Sequence, residues 1–108
     1  MPHSRLIPLA TVDALKPGKM QLCLVEGLSI LLANIGGELY AVDAVCSHED
    51  ALLSNGALMD DCVKCPLHGS RFHLKTGQAM EEPATAPLRT YPLLVQANQV
   101  FLVLYPDA

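Results

Sequence analysis

The chain has 108 residues, of which 51% are hydrophobic, so it suits one domain with a modest core and is too apolar for an intrinsically disordered protein. Its net charge of −4 and the lack of any basic run argue against a nucleic-acid partner. The longest apolar stretch, residues 28–35, is far too short for a membrane span, so we expect no membrane partner.

Apolar segments of strand length recur along the chain, separated by Gly, Asn and Asp turn signals. In chain order the predicted strands are residues 6–12, 21–25, 29–35, 38–43, 57–59, 62–64, 71–74, 78–80, 93–96 and 100–104. No segment keeps a 3.6-residue period, so we expect almost no helix apart from one turn near residues 13–15. Short strands at close spacing predict an all-β protein with antiparallel sheets.

The first residues do not form an export signal, because Arg5, Pro8 and Asp13 interrupt any apolar core of a signal peptide. We therefore expect a cytoplasmic protein. Since the cytoplasm is reducing, the four cysteines are predicted to be ligands and core residues rather than partners in disulfides.

Two short motifs each combine a cysteine with a histidine. They are C-S-H at residues 46–48 and C-P-L-H at residues 65–68, with sixteen residues between them, in stretches whose Gly, Ser, Pro and Asp content predicts loops. Two thiolates and two imidazoles suit a 2Fe–2S cluster in which one iron binds both sulfurs and the other both nitrogens. The predicted cofactor and metal ligands are Cys46, His48, Cys65 and His68.

The charge of such a cluster predicts its chemistry. Two ferric ions, two sulfides and two thiolates sum to about zero with neutral imidazoles, whereas four thiolates would make the cluster about two units more negative. A less negative cluster gains an electron more easily. The motifs therefore predict an electron acceptor with a potential above that of plant-type ferredoxins.

A structural zinc site is the main alternative, although zinc-finger spacing usually groups Cys with Cys and His with His. Cys62 forms a C-x-x-C with Cys65, but residues three apart on a strand point to opposite faces, so we expect Cys62 to be a buried apolar residue. Cys23 is expected in or near the core as well. His3 and His73 are expected at the surface or in hydrogen bonds rather than as ligands.

The pattern C-x-H, sixteen residues, C-x-x-H-G-S resembles the Rieske family, and residues 83–91 are similar to the proline loop that covers the cluster in such proteins. The resemblance extends over nearly the whole chain. It implies a Rieske-like antiparallel β-sandwich made of a single domain, residues 1–108, with a small cluster-binding subdomain at about residues 44–90.

Several differences from the high-potential members indicate which members of the family the chain resembles. High-potential respiratory members have an extra cysteine in each loop, joined as a disulfide, and a tyrosine two residues after the serine; this chain has Ala51, Leu67 and Phe72 there. Fewer donors imply a potential toward the lower end of the Rieske range of about −150 to +300 mV. The counterpart of Ser70 donates a hydrogen bond to a bridging sulfide in those members, and here that role and a plain turn residue both stay open.

These departures match the ferredoxins of bacterial aromatic-ring-hydroxylating dioxygenase systems. The resemblance implies a monomeric one-electron carrier, not an enzyme, between an NAD(P)H-dependent flavin reductase and a terminal Rieske non-haem iron oxygenase. Neither a dinucleotide fingerprint nor a convincing two-His, one-carboxylate set occurs in the sequence. The thiolates would hold an inner iron and the imidazoles an outer one, with Leu53, Leu67 and Pro87 shielding the cluster from water.

Three other functions remain open at this point: a zinc-stabilised interaction module, the small Rieske-type subunit of a nitrite reductase, and a redox sensor. The absence of an output domain counts against the sensor. Acidic pairs at residues 49–50, 60–61 and 81–82 lie in or beside the predicted cluster region. They are either an ordinary solvated surface or a means of steering a basic partner.

Overall fold

The structure is a computed structural model that describes residues 4–47, 50–67, 69–82, 84 and 86–104. In this part of the chain two short 3-10 helices, Val12–Ala14 and Leu53–Asn55, accompany ten strands. The strands are β1 (Arg5–Thr11), β2 (Met20–Val25), β3 (Leu28–Ile35), β4 (Glu38–Asp43), β5 (Ala57–Met59), β6 (Cys62–Lys64), β7 (Arg71–His73), β8 (Thr90–Tyr91), β9 (Leu93–Gln96) and β10 (Gln99–Leu104).

The strands form three antiparallel sheets, with orders β1-β10-β9, β2-β3-β4-β8 and β5-β6-β7. This arrangement confirms the predicted all-β class. No helix among the described residues is long and apolar enough to cross a membrane.

The four-stranded sheet lies in the middle, because both of its faces are covered. On β3, Ile30 and Leu32 pack into one core cluster with residues of the β1-β10-β9 sheet, whereas Leu31 and Ala33 pack into a second cluster with residues of the β5-β6-β7 sheet. All four side chains are fully buried. A strand covered on both faces reads as a continuous apolar run, which is why this segment is the longest apolar stretch of the sequence.

Most predicted strands are confirmed to within one residue at each end. Residues 78–80 do not form a strand; the chain turns tightly there, as Gly77 N–H donates to the C=O of His73, and leaves only an isolated bridge between Phe72 and Ala79. The strand predicted at residues 71–74 ends at His73. Strand β8 and the second 3-10 helix were not predicted, since two residues show no alternation and a helix this short shows no 3.6-residue repeat.

The last hairpin closes as the sequence predicts, but with an unusual residue. Ala97 and Asn98, between β9 and β10, both have positive φ, at 51° and 67°. Asn tolerates this conformation better than Ala. Its side chain also donates to Asp13 and its C=O accepts from Val12 N–H, so the turn is joined to the first 3-10 helix.

Candidate cofactor site

The loops that carry the two predicted cysteine ligands share one backbone pattern. Cys46 donates its backbone N–H to the C=O of Ala51 over 2.9 Å, and Cys65 donates its backbone N–H to the C=O of Ser70 over 2.8 Å. Each bond connects a cysteine to the residue five positions later. Both cysteines therefore begin a six-residue loop that closes in the same way.

The residues that flank the loops are paired equivalently too. Val45 is bridged antiparallel to Leu52 around the first loop, and Lys64 pairs with Arg71 between β6 and β7 around the second. In each case the residue before the cysteine pairs with the residue six positions after that cysteine. The two loops, residues 46–51 and 65–70, thus share their closing hydrogen bond and their flanking pair despite different sequences.

Both cysteines are buried in the same part of the core. Cys46 is 5% exposed and Cys65 is 2% exposed, and they belong to the cluster that covers one face of the central sheet. Phe72, fully buried, is the largest side chain of that cluster. The fold therefore brings two sulfur donors, nineteen residues apart in sequence, into one apolar environment.

The two predicted histidine ligands, His48 and His68, lie outside the described residues, as does His3. Among the residues that are described, no three His, Cys, Asp or Glu side chains lie close enough together to bind a metal ion. The four-ligand assignment thus stays a prediction, of which the structure describes the two sulfur positions.

Residues 84 and 86–91, here called the 84–91 segment, are hydrogen-bonded to both cysteine loops. Ala84 N–H donates to Ser70 Oγ over 3.2 Å, in a buried contact, and Ser47 Oγ donates to the C=O of Ala86 over 2.6 Å, in an exposed one. The side chain of Leu88 is buried in the same core cluster as the cysteines. The segment similar to a proline loop therefore lies against both predicted ligand loops.

The end of this segment is fixed to β4 by a carboxylate. Tyr91 donates its hydroxyl to Asp43 Oδ1 over 2.6 Å, and Arg89 donates its backbone N–H to Asp43 Oδ2 over 2.8 Å. Burial, followed by the hydrogen bond to Asp43, raises the pKa of Tyr91 to about 12, although the Arg89 guanidinium over the ring acts in the opposite direction. No short-range pattern in the sequence indicates this role of Asp43 and Tyr91, because the two residues are 48 positions apart.

The other cysteines behave as the sequence predicts. Cys62 and Cys23 are each 6% exposed, and burial raises the pKa of both thiols, so they are inert core residues. His73 is partly buried, and its Nδ1 accepts a hydrogen bond from the backbone N–H of Lys75, which is a hydrogen-bonding role rather than a ligand role.

The three residues expected to shield the cofactor differ in exposure. Leu53 is fully buried, whereas Leu67 is 60% exposed and Pro87 is exposed. Leu67 therefore presents an apolar surface to solvent directly beside the predicted ligand at position 68.

The acidic pairs are also not equivalent. Glu81 forms an ion pair with Arg71, in which Oε1 accepts from Nε over 2.8 Å, and this contact lowers the pKa of Glu81. Asp50, Asp60, Asp61 and Glu82 are exposed. Because Arg71 is paired with Glu81, the pair at residues 81–82 has less unpaired negative charge than two free carboxylates would have.

Comparison with known proteins agrees with this geometry. Residues 5–92 match the family model described as the Rieske [2Fe-2S] domain. The chain is 51% identical over 80 residues to the 3-phenylpropionate/cinnamic acid dioxygenase ferredoxin subunit of Escherichia coli (strain K12), an alignment that covers 73% of this chain and 74% of that protein.

Solved structures resemble the fold closely. The ferredoxin of carbazole 1,9a-dioxygenase from Nocardioides aromaticivorans IC177 is 33% identical, with a TM-score of 0.86 over 94% of this chain and 98% of that one. A ferredoxin-sized chain in a complex of reduced oxygenase and oxidized ferredoxin in carbazole 1,9a-dioxygenase has 27% identity and a TM-score of 0.87, covering 91% and 92%. A protein assigned as the small subunit of an NADPH nitrite reductase has 31% identity and a TM-score of 0.79, covering 91% and 97%.

The described residues fit a 2Fe–2S cluster in two respects. Cys46 and Cys65 supply two buried sulfur donors in one core cluster. Ser70 is 1% exposed, and although its Oγ accepts from Ala84 N–H, its hydroxyl hydrogen has no acceptor within the described part of the chain. Since a buried donor without an acceptor is costly, the donor is suited to a sulfide or thiolate of a bound cluster.

Proposed function

This chain belongs to the Rieske [2Fe-2S] domain family, and we propose that it is the ferredoxin component of an aromatic-ring dioxygenase system. The protein is an electron carrier rather than an enzyme, and its cofactor is a Rieske-type 2Fe–2S cluster. The 51% identity to a dioxygenase ferredoxin subunit carries the proposal, because this similarity extends over most of both chains.

The proposed cluster ligands are Cys46, His48, Cys65 and His68. Their support is the shared loop pattern: two loops with the same closing bond would offer equivalent positions to two bridged iron atoms. The two thiolates would bind one iron and the two imidazoles the other. When bound, such a cluster accepts and releases one electron.

The remaining residues of the site would tune and protect this chemistry. The Ser70 hydroxyl is placed to donate a hydrogen bond to cluster sulfur, and the 84–91 segment lies against both loops, where it would exclude water. Ala51, Leu67 and Phe72 cannot supply a disulfide or a further hydroxyl. We therefore infer a potential in the lower part of the Rieske range of about −150 to +300 mV.

The proposed acceptor is a terminal Rieske oxygenase that acts on an aromatic compound. The carbazole 1,9a-dioxygenase complex contains a ferredoxin and its oxygenase together, and this chain shares the ferredoxin fold. An exposed leucine beside the ligand loop and a net charge of −4 suit brief docking onto a basic surface with an apolar contact.

We further propose a flavin-dependent, NAD(P)H-oxidising reductase as the electron donor, a monomeric state, and residues 1–108 as one domain whose cluster-binding subdomain covers about residues 44–90. A cytoplasmic location is proposed because Cys23, Cys62 and Cys65 are thiols rather than disulfide partners, as expected in a reducing compartment.

Reconstitution tests this function. Purified chain, a candidate reductase and a candidate ring-hydroxylating oxygenase are mixed with NADH and an aromatic substrate, and product is measured with and without the chain. Product that forms only in its presence supports the proposal. The proposal would be contradicted if the chain made no difference to the amount of product with any oxygenase that accepts other ferredoxins.

A second candidate is the small subunit of a nitrite reductase, favoured by the 31% identity to the protein assigned to that role. Such a subunit would remain in a permanent complex rather than exchange between partners. Gel filtration of native extract distinguishes the two, because a shuttle elutes near its own mass of 11.6 kDa. Co-elution with nitrite-reducing activity would favour the second candidate.

A further inference from the structure

Asp43 connects the end of β4 to the 84–91 segment through three hydrogen bonds. Its Oδ1 accepts from the Tyr91 hydroxyl over 2.6 Å, its Oδ2 accepts from Arg89 N–H over 2.8 Å, and its own N–H donates to the C=O of Arg89 over 2.9 Å. Hydrogen bonds to an ionised acceptor are stronger than those between neutral groups. Asp43 makes more hydrogen bonds to the described residues of the segment than any other single residue.

The attachment lies at the base of the predicted ligand loops. Asp43 precedes Cys46 by three residues, so the same backbone that leads into the first loop also holds the segment. Farther along, the described residues of the segment make one hydrogen bond to each loop, from Ser47 to Ala86 and from Ala84 to Ser70. The position that Asp43 gives the segment therefore bears on both contacts.

In the middle of the segment, Leu88 N–H donates to the C=O of Gly77 over 2.7 Å and the Leu88 side chain is buried in the core cluster. The strand pairing at the end of the segment is short. The pairing of β8 with β4 involves only two residue pairs, Ala41 with Tyr91 and Val42 with Thr90. A pairing this short is weak by itself. Side-chain hydrogen bonds to Asp43 therefore have a larger share in holding the segment than they would beside a long strand.

We propose that Asp43, oriented by Tyr91, is a positioning residue that fixes the 84–91 segment against both cysteine loops and thereby sets the water exposure and the reduction potential of the cofactor. The inference rests on the proposed function, since it presumes a cluster between those loops. Loosening the segment admits water, which stabilises the more negatively charged reduced cluster. A weakened attachment should therefore raise the midpoint potential.

Two variants test this role and one serves as the matched control. Tyr91→Phe removes the hydroxyl bonded to Oδ1 without any change of charge, and Asp43→Asn replaces one of the two acceptor oxygens by a donor. Tyr40→Phe is the control, because Tyr40 also lies on β4 and donates to a carboxylate, Glu38 Oε2 at 2.8 Å, but no hydrogen bond joins that carboxylate to the described residues of the segment.

Three measurements are made on the cluster-loaded proteins: amide hydrogen exchange of peptides covering residues 84–91, midpoint potential by spectroscopic titration, and the rate of cluster loss to an iron chelator. For Tyr91→Phe we expect exchange and cluster loss roughly fivefold faster, the scale of one hydrogen bond, with a higher midpoint potential. Asp43→Asn should exceed it in all three, and Tyr40→Phe should match wild type.

The outcomes separate this inference from the proposed function. The positioning role would be overturned if amide exchange and midpoint potential were the same in Tyr91→Phe as in Tyr40→Phe. This holds even if Tyr91→Phe melts at a lower temperature, because a merely structural effect would not be confined to the segment. A wild-type protein that never holds a reducible cluster would overturn the proposed function, and this inference with it.

Discussion

Cys65 donates its backbone N–H to the C=O of Ser70 over 2.8 Å, the same closing bond that Cys46 makes with Ala51. Ser70 is thereby fixed at the end of the second loop with its hydroxyl buried. One backbone interaction thus orders a predicted ligand and a candidate donor to the cofactor together. Changes on either side of this bond should affect the cofactor in different ways.

Replacing Cys65 should abolish cofactor binding, whereas replacing Cys62 should not. Both thiols are buried and only three residues apart, so Cys65→Ala and Cys62→Ala are matched in size and location. We expect Cys65→Ala to lack iron and acid-labile sulfide and to lose visible absorption, and Cys62→Ala to keep both irons. Full iron content in Cys65→Ala would exclude Cys65 as a ligand.

Ser70→Ala should lower the midpoint potential. Loss of a donor to the reduced cluster, worth about 1 kcal/mol, corresponds to about 40 mV in a one-electron couple. Loosening of Ala84 alone would raise the potential, so the sign of the shift separates the two roles of Ser70. Potentiometric titration measures it, with Ser54→Ala, in the second 3-10 helix, as the control. A higher or unchanged midpoint would leave Ser70 as a turn and attachment residue.

Leu67→Ser should weaken docking to the oxygenase without altering the cofactor. The side chain is 60% exposed in the second ligand loop, and loss of an apolar contact of about 1 kcal/mol would raise the KM for the carrier roughly fivefold. Leu24→Ser is the control, since Leu24 is 71% exposed on β2 but lies outside the two ligand loops. Equal KM values for both variants would place the docking surface elsewhere.

Local patterns were enough to predict four ligands, because the Cys and His spacing is a property of short segments. The structure describes the two cysteines and buries both in one core cluster, and the four-ligand set stays a prediction. The contact of Asp43 with Tyr91 was beyond reach, since a side-chain hydrogen bond over 48 residues leaves no periodic trace. Residues 78–80 have strand-like composition, but the tight turn before them allows only one bridge.

Gly56→Ala should destabilise the β5-β6-β7 sheet. A Cβ on Gly56 would overlap the C=O oxygen of Lys64, so the two backbones would have to separate. We expect a loss of about 1–3 kcal/mol in the free energy of unfolding, measured by denaturant titration.

Gly37→Ala provides the comparison for this steric effect, because Gly37 has φ of 99° but nothing within 4 Å of an added Cβ. Its cost would be backbone strain alone, remote from the second ligand loop. Faster cluster loss should accompany only Gly56→Ala. The same loss in both variants would indicate general destabilisation instead.

Tyr91 should make stability depend on pH in the alkaline range. Burial and the hydrogen bond to Asp43 raise its pKa from 10.0 to about 12, so the folded protein holds this proton more tightly than the unfolded chain. Its contribution is complete below pH 10 and decreases as the pH rises toward 12, because the unfolded state is then stabilised by losing the proton. Wild type and Tyr91→Phe should therefore converge in melting temperature between about pH 10 and 12. A constant difference in melting temperature across that range would mean that folding does not raise the pKa of Tyr91. It would also contradict a stabilising hydrogen bond from the Tyr91 hydroxyl to Asp43.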